Sequence, residues 1–174
     1  FFGHSQAGVF TESHERLLAG IAGQAAVAID NARLFQRAQQ SAERTNLALA
    51  AARLGDWSWD AGTDMVNMSE RAAEIFGIPP GPVMTWAQLQ QLLHQDDRER
   101  ARLAVQRSVD ERTQYEIEYR VLPPAGGQTW VSAVGQTVYS KDGLLIGMNG
   151  LVEDISDRRK LLGQLDRIPR VLDE

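Results

Sequence analysis

"MNGLVEDISDRRK", residues 148–160, joins two patterns with no loop between them. Met148, Gly150 and Val152 alternate with Asn149, Leu151 and Glu153, the period of two expected of a half-buried strand, whereas from Asp154 onward the sequence is charged and helical in character. A strand that runs straight into a solvated helix must belong to a sheet whose other strands lie upstream.

Those strands are legible in order. "TWVSAVGQTVY" (129–139) is joined by an Asp142-Gly143 turn to "LLIGMNGLVEDI" (144–155), a hairpin pattern. "QYEIEYRVL" (114–122) puts Tyr115, Ile117, Tyr119 and Val121 on one face and Glu116, Glu118 and Arg120 on the other. Nearer the start, "GDWSWDAGTDMVNMS" (55–69) carries Trp57 and Trp59 on one face, a turn at Asp60-Ala-Gly-Thr, and a second alternating stretch through Val66 and Met68. Helices fill the interval. Ser69 caps "ERAAEIFG", which ends at Gly77 and the prolines of "IPPGP". Thr85 opens "WAQLQQLLHQ", and Asp96 or Asp97 begins "RERARLAVQRSVDER", with Leu103, Val105 and Val109 as its apolar positions. Two strands, three helices and three strands predict an α+β domain: a five-stranded antiparallel sheet with inserted helices.

Residues 11–54 contain no proline and only Gly20 and Gly23, which predicts one long helix ahead of that domain. Thr11 is placed to cap it, with Glu12 and Glu15 in the first turn where the helix dipole favours acids. Leu18, Ile21, Ala25, Ala28, Ala32 and Phe35 follow one another at spacings of three and four and form a narrow stripe. A stripe of that width suits pairing with a second helix in a parallel homodimer better than anchoring on a sheet. Packing on the chain's own domain is the other reading.

Composition narrows the function. With 18 Lys and Arg against 23 Asp and Glu, the net charge of −5 disfavours a nucleic-acid partner. The absence of cysteine removes disulfides, thiolate metal sites and cysteine nucleophiles. No apolar run approaches the ~20 residues that span a bilayer, and "FFGHSQAG" lacks the regions of a signal peptide. The expectation is a cytoplasmic fragment with no membrane insertion of its own, whose parent could be anchored elsewhere.

"GDWSWD", "MSERAAEIFGI", "LLHQDDRERA", "YEIEYRV", "TWVSAVG" and "GLVEDISDRRK" resemble, in order and spacing, the successive landmarks of a PAS domain with its C-terminal PAC-type motif, over residues 55–160. Gln95 stands where the family carries a turn proline, and "PPAGG" replaces its usual Asp-Gly turn. Residues 1–35 are similar to the last strand and closing helix of a GAF domain, as in bacterial multidomain sensor proteins. That leaves 36–54 as a helical, coiled-coil linker and 161–174 as an outgoing signalling helix and tail.

The resemblance implies a regulatory sensor and dimerisation module that passes a ligand or conformational signal through its C-terminal helix to a downstream output domain, such as a histidine kinase or a diguanylate cyclase. The alternative is a ligand-free dimerisation or spacer domain. Asp154 or Ser156 can cap the outgoing helix and Arg158 can bond back to a carboxylate, which makes these three the expected signal junction. The helix should run from Arg158 through Leu165 and stop before Pro169. Ligands in PAS domains lie between the inner sheet face and the inserted helices, so Phe76, Ile117, Tyr119, Val131, Met148 and Val152 are the pocket candidates. Their apolar character points to no cofactor or to a small apolar ligand. Flavin is disfavoured because Val152 sits where flavin-binding relatives tend to carry an amide. Haem is disfavoured because His94, alone of the three histidines in this region, reads as part of a helix-start turn.

Asp96, Asp97 and Glu99 beside Arg98 and Arg100 read as helix capping and surface pairing, and neither a metal site nor a catalytic set is expected. Trp130, out of phase with Val131, falls on the outer sheet face with Glu118 and Arg120, where residues 47–54 of this chain or its partner are expected to cover it.

Overall fold

The computed structural model describes residues 11–165. The expected GAF-like strand before Thr11 and the helix end before Pro169 lie outside them. The chain divides into two units at Ala48/Leu49. The first consists of most of helix α1 (Glu12–Ala51), which buries none of its residues. Leu18, Ile21 and Phe35 are 42%, 54% and 72% exposed, and Ala25, Ala28 and Ala32 are exposed as well.

The second unit is α+β. Strands β1 (Gly55–Asp60) and β2 (Met65–Met68) lead into helix α2 (Glu70–Phe76), strand β3 (Gly81–Thr85) and helices α3 (Trp86–Gln91) and α4 (Gln95–Glu111). Strands β4 (Tyr115–Val121), β5 (Thr129–Tyr139) and β6 (Leu145–Asp154) follow, and helix α5 (Ser156–Leu165) leaves the sheet. The sheet is antiparallel in the order β3-β2-β1-β6-β5-β4.

It therefore has six strands where the sequence predicts five. The sixth, β3, lies in "GPVMT", which shows no alternation and begins with a glycine and a proline. Proline cannot donate to a ladder, which is tolerable on an edge strand, and β3 pairs only with β2, with a register shift at Val66/Asn67. Thr85 ends this strand and also caps α3: its hydroxyl accepts from Gln88 N while the Gln88 side chain accepts from Thr85 N.

Helix α4 starts at Gln95, one residue earlier than expected, because His94 serves as its N-cap: Nδ1 accepts from the Asp96 amide at 3.3 Å. Its buried positions are Asp97, Ala101 and Ser108, with Ala104 and Val105 partly buried, whereas Leu103 is 45% exposed. Small side chains let the helix lie close to the sheet, and the face they define has helical period.

The core lies between the inner sheet face and α2–α4. Tyr115, Ile117, Tyr119, Val121, Val131, Ala133, Met148 and Val152 are all buried there, as alternation requires. Gly55 permits the closest helix approach, since a Cβ on it would stand 2.4 Å from the Ala72 amide nitrogen. No helix among the described residues is long and apolar enough to cross a membrane.

Candidate functional site

Two features of the PAS-like unit can carry function: the space between sheet and helices, and the junction of β6 with α5.

The interior space includes two apolar hollows of about 20 Å³ each, both lined by Trp57, Trp59 and Trp86. The first adds Phe76, Tyr119 and Val152 with Val66, Met68 and Leu89; the second adds Met148 with Tyr115 and Val105. Four of the expected pocket residues are thus brought to the cavity wall. Ile117 and Val131 are buried on the same face but line neither hollow. Each space is about the size that holds one or two waters. Larger hollows, of about 320 and 450 Å³, open on the outer face of the sheet around Asn67 and Asn149 and around Val134 and Gln136.

The three tryptophans are not among the pocket residues that strand alternation picks out. Strand alternation puts Trp57 and Trp59 on one face, but only the register shows which: Trp57 stands opposite Gly150 and Trp59 opposite Met148. Gly135 and Gly150, paired across β5 and β6, leave the room that the Trp57 indole occupies. The two indoles differ in hydrogen bonding. Trp59 Nε1 donates to Asp64 Oδ1 at 2.9 Å, whereas Trp57 Nε1 is buried without a partner among the described residues. Burial pushes the phenols of Tyr115 and Tyr119 above their ordinary pKa, so both stay neutral.

At the junction the chain turns from strand to helix at Ile155, which is buried. Asp154 Oδ1 accepts from Ser156 N at 2.9 Å, and Ser156 Oγ accepts from Trp130 N at 3.0 Å. The Ile155 amide donates to Trp130 O at 2.9 Å. Arg158 donates to Glu118 Oε1 at 3.2 Å, and Arg159 donates to Glu118 Oε2. The first turn of α5 is thereby tied to β5 through main-chain atoms and to β4 through charge.

Trp130 lies on the outer face, as alternation predicts, directly opposite Arg120. The guanidiniums of Arg159 and Arg120 lie 4.3 and 5.5 Å from its ring centroid, within cation–π range. Within this unit the cover over Trp130 comes from α5 and β4, where the sequence pointed to residues 47–54. The physical reason is that α5 leaves the sheet beside Trp130, through the hydrogen bonds just described.

Asp97 also departs from the sequence reading, which placed it on the surface. It is 4% exposed, and its carboxylate accepts from Arg120 Nε at 2.8 Å, Arg120 Nη2 at 3.0 Å, Arg120 N at 2.9 Å and Arg100 Nη2 at 3.0 Å. These bonds, led by the Arg120 side chain, hold its pKa far below the usual carboxylate range. Together with His94 N donating to Arg120 O and Arg100 Nη1 donating to Glu118 O, they also pair main-chain groups of Arg120 and Glu118 on the free edge of β4. Spacing along α4 gives the face of Asp97, but the partner lies 23 residues away on another element.

Known proteins share this architecture. The chain is 26% identical over 123 residues to the probable diguanylate cyclase DgcE of Escherichia coli K12, a match covering 71% of the chain and 11% of that protein. It resembles the solved sensory box histidine kinase/response regulator from Burkholderia thailandensis, with 28% identity, a TM-score of 0.62, and 71% and 92% of the two chains covered. The N-terminal domain of a diguanylate cyclase with PAS/PAC sensor from Marinobacter aquaeolei has the same fold, at 20% identity and a TM-score of 0.56, with 61% and 98% covered. The matched stretch makes up 8% to 12% of the length of the curated relatives DgcE, the y4lL protein of Sinorhizobium fredii and the non-motile and phage-resistance protein of Caulobacter vibrioides. The sequence profile of the PAS fold matches residues 65–152, half of the chain, and the chain belongs to that family.

Proposed function

We propose that this chain is the regulatory sensor and dimerisation segment of a bacterial signal-transduction protein, and that α5 carries its output to a catalytic domain such as a histidine kinase or a diguanylate cyclase. The observation that carries the reading is the junction: β6 passes into α5 without a loop, and α5 is fixed to two other strands through Ser156, Arg158 and Arg159. A displacement of the sheet must then reorient a helix instead of being absorbed by a flexible connector. Similarity to a sensory box histidine kinase and to a probable diguanylate cyclase supports the same role. In this reading α1 pairs with its copy through Leu18, Ile21, Ala25, Ala28, Ala32 and Phe35. Residues 1–35 close a GAF-like neighbour, and the PAS-like domain of residues 55–160 ends in a PAC-type motif. The fragment itself is non-catalytic and works in the cytoplasm.

The small size of the two hollows favours a second version, in which the unit binds nothing and relays only conformational strain. Native mass spectrometry of the purified protein separates the two: a copurifying small apolar molecule supports a ligand sensor, and bare protein supports the relay. The output role is tested by the activity of the full-length parent carrying Arg158→Ala. Unchanged regulation would reject the junction.

A further inference from the structure

Arg120 stands between two carboxylates. On one side Asp97, in the first turn of α4, binds its Nε and Nη2 at 2.8 and 3.0 Å, with Asp96 Oδ2 at 3.6 Å. On the other side is Glu118, two residues back along β4 and on the same face, which is engaged by Arg158 and Arg159 of α5. Residues two apart in a strand are separated by roughly 6.6 Å, well within the reach of an arginine and a glutamate side chain. Each Glu118 oxygen already accepts from one guanidinium, Oε1 from Arg158 and Oε2 from Arg159, so a third guanidinium arriving there competes with them for the same two oxygens. Arg120 and Arg159 also flank the same indole, Trp130.

We propose that Arg120 is a competitor for Glu118 held away by Asp97: when the first turn of α4 shifts, Arg120 takes Glu118 from Arg158 and Arg159, and α5 is released. The two pairings are discrete, which gives the junction two arrangements instead of a continuum. Held arrangement: Asp97 with Arg120, Glu118 with the arginines of α5. Released arrangement: Glu118 with Arg120, α5 free of the sheet edge. The trigger lies on the helix that walls the interior, because α4 carries both Asp97 and the cavity residue Val105. Its regulatory meaning rests on the reading of α5 as the output element, but the competition itself does not.

The test is amide hydrogen exchange of α5 in the complete chain, scaled to the amides of β5 and β6. Asp96→Asn with Asp97→Asn removes both acids that hold Arg120 on α4, and α5 exchange should rise roughly five- to twentyfold. Adding Arg120→Met to that pair removes the competitor while keeping an apolar stem over Trp130, and exchange should return toward wild type. Glu118→Gln should raise α5 exchange by itself and make it insensitive to the Asn pair. Unchanged α5 exchange in the Asn pair, or a triple variant as fast as the pair, overturns the proposal. Should the Asn pair loosen β5 and β6 as well, Arg120→Met alone decides: scaled α5 exchange at or below wild type supports competition, and faster exchange overturns it. The expected rise and reversal of α5 exchange combined with unaltered output in the parent protein would instead reject only the output reading.

Discussion

A Cβ built on Gly150 would stand 2.4 Å from Cζ2 of Trp57 and 2.2 Å from the carbonyl oxygen of Val134. One obstacle is a side chain that could swing aside, but the other is backbone in a paired strand. Gly150→Ala should therefore cost about 2–3 kcal/mol by overpacking, read as a lower denaturant midpoint with a changed near-ultraviolet tryptophan signal. Gly20→Ala, where nothing among the described residues beyond the helix's own neighbouring backbone lies within 4 Å of the new Cβ, should leave melting of the PAS unit unchanged.

The two neighbouring tryptophans give a matched pair. Trp57→Phe deletes a buried N–H that has no partner, whereas Trp59→Phe deletes the same volume and also strands Asp64. We expect Trp57→Phe to be the milder change by about 1 kcal/mol, measured by urea unfolding. Equal losses would mean that the Trp57 N–H is satisfied in solution.

How far the sequence disclosed this site depends on what each residue answers to. Alternation along single strands was enough to place Ile117, Tyr119, Val131, Met148 and Val152 inside and Trp130 outside. The tryptophan lining and the Asp97–Arg120 pair were hidden, because each is set by register or by packing between distant elements, which one-dimensional periodicity does not encode. Strand β3 was hidden for a third reason: an edge strand paired on one side needs no apolar alternation, and Gly81-Pro82 reads locally as a turn.

Asp97 makes stability depend on acid. Its pKa is depressed in the folded state relative to about 3.8 in the unfolded chain, so the unfolded state binds the proton first. The contribution is complete above the unfolded value and is lost as pH falls below it toward the folded pKa. Urea midpoints measured from pH 6 to pH 2 should fall more steeply for wild type than for Asp97→Asn below pH 4. At neutral pH the variant should be weaker by about 1.5–3 kcal/mol, since Arg120 loses its charged hydrogen-bond acceptor. Parallel profiles would show that Asp97 titrates normally.

The exposed stripe on α1 predicts association. Wild-type protein should sediment as a dimer, and Ile21→Asp with Ala28→Asp should give a monomer with an unaltered PAS unit. A wild-type monomer at high micromolar concentration would remove the coiled coil.

Junction and core variants should separate activity from stability. Asp154→Ala and Arg158→Ala each remove a cap or an exposed ion pair, a loss of about 0.5–2 kcal/mol, yet should change the regulated activity of the parent protein. Met148→Asp buries an unpaired charge and should lower the melting temperature sharply, with activity falling in step. Activity that follows melting temperature for both kinds of variant would reduce the junction to an ordinary helix cap.

The strand order has a consequence for how such a protein is assembled. β1 and β6 are neighbours in the middle of the sheet, with Gly55 directly opposite Val152, so the chain arrives at the domain and departs from it side by side. A unit wired in this way is a cassette: it can be doubled, exchanged or excised between flanking segments while they remain within a few residues of each other. What is preserved in such a change is the point of attachment, and what is free to vary is the body of the domain that hangs from it.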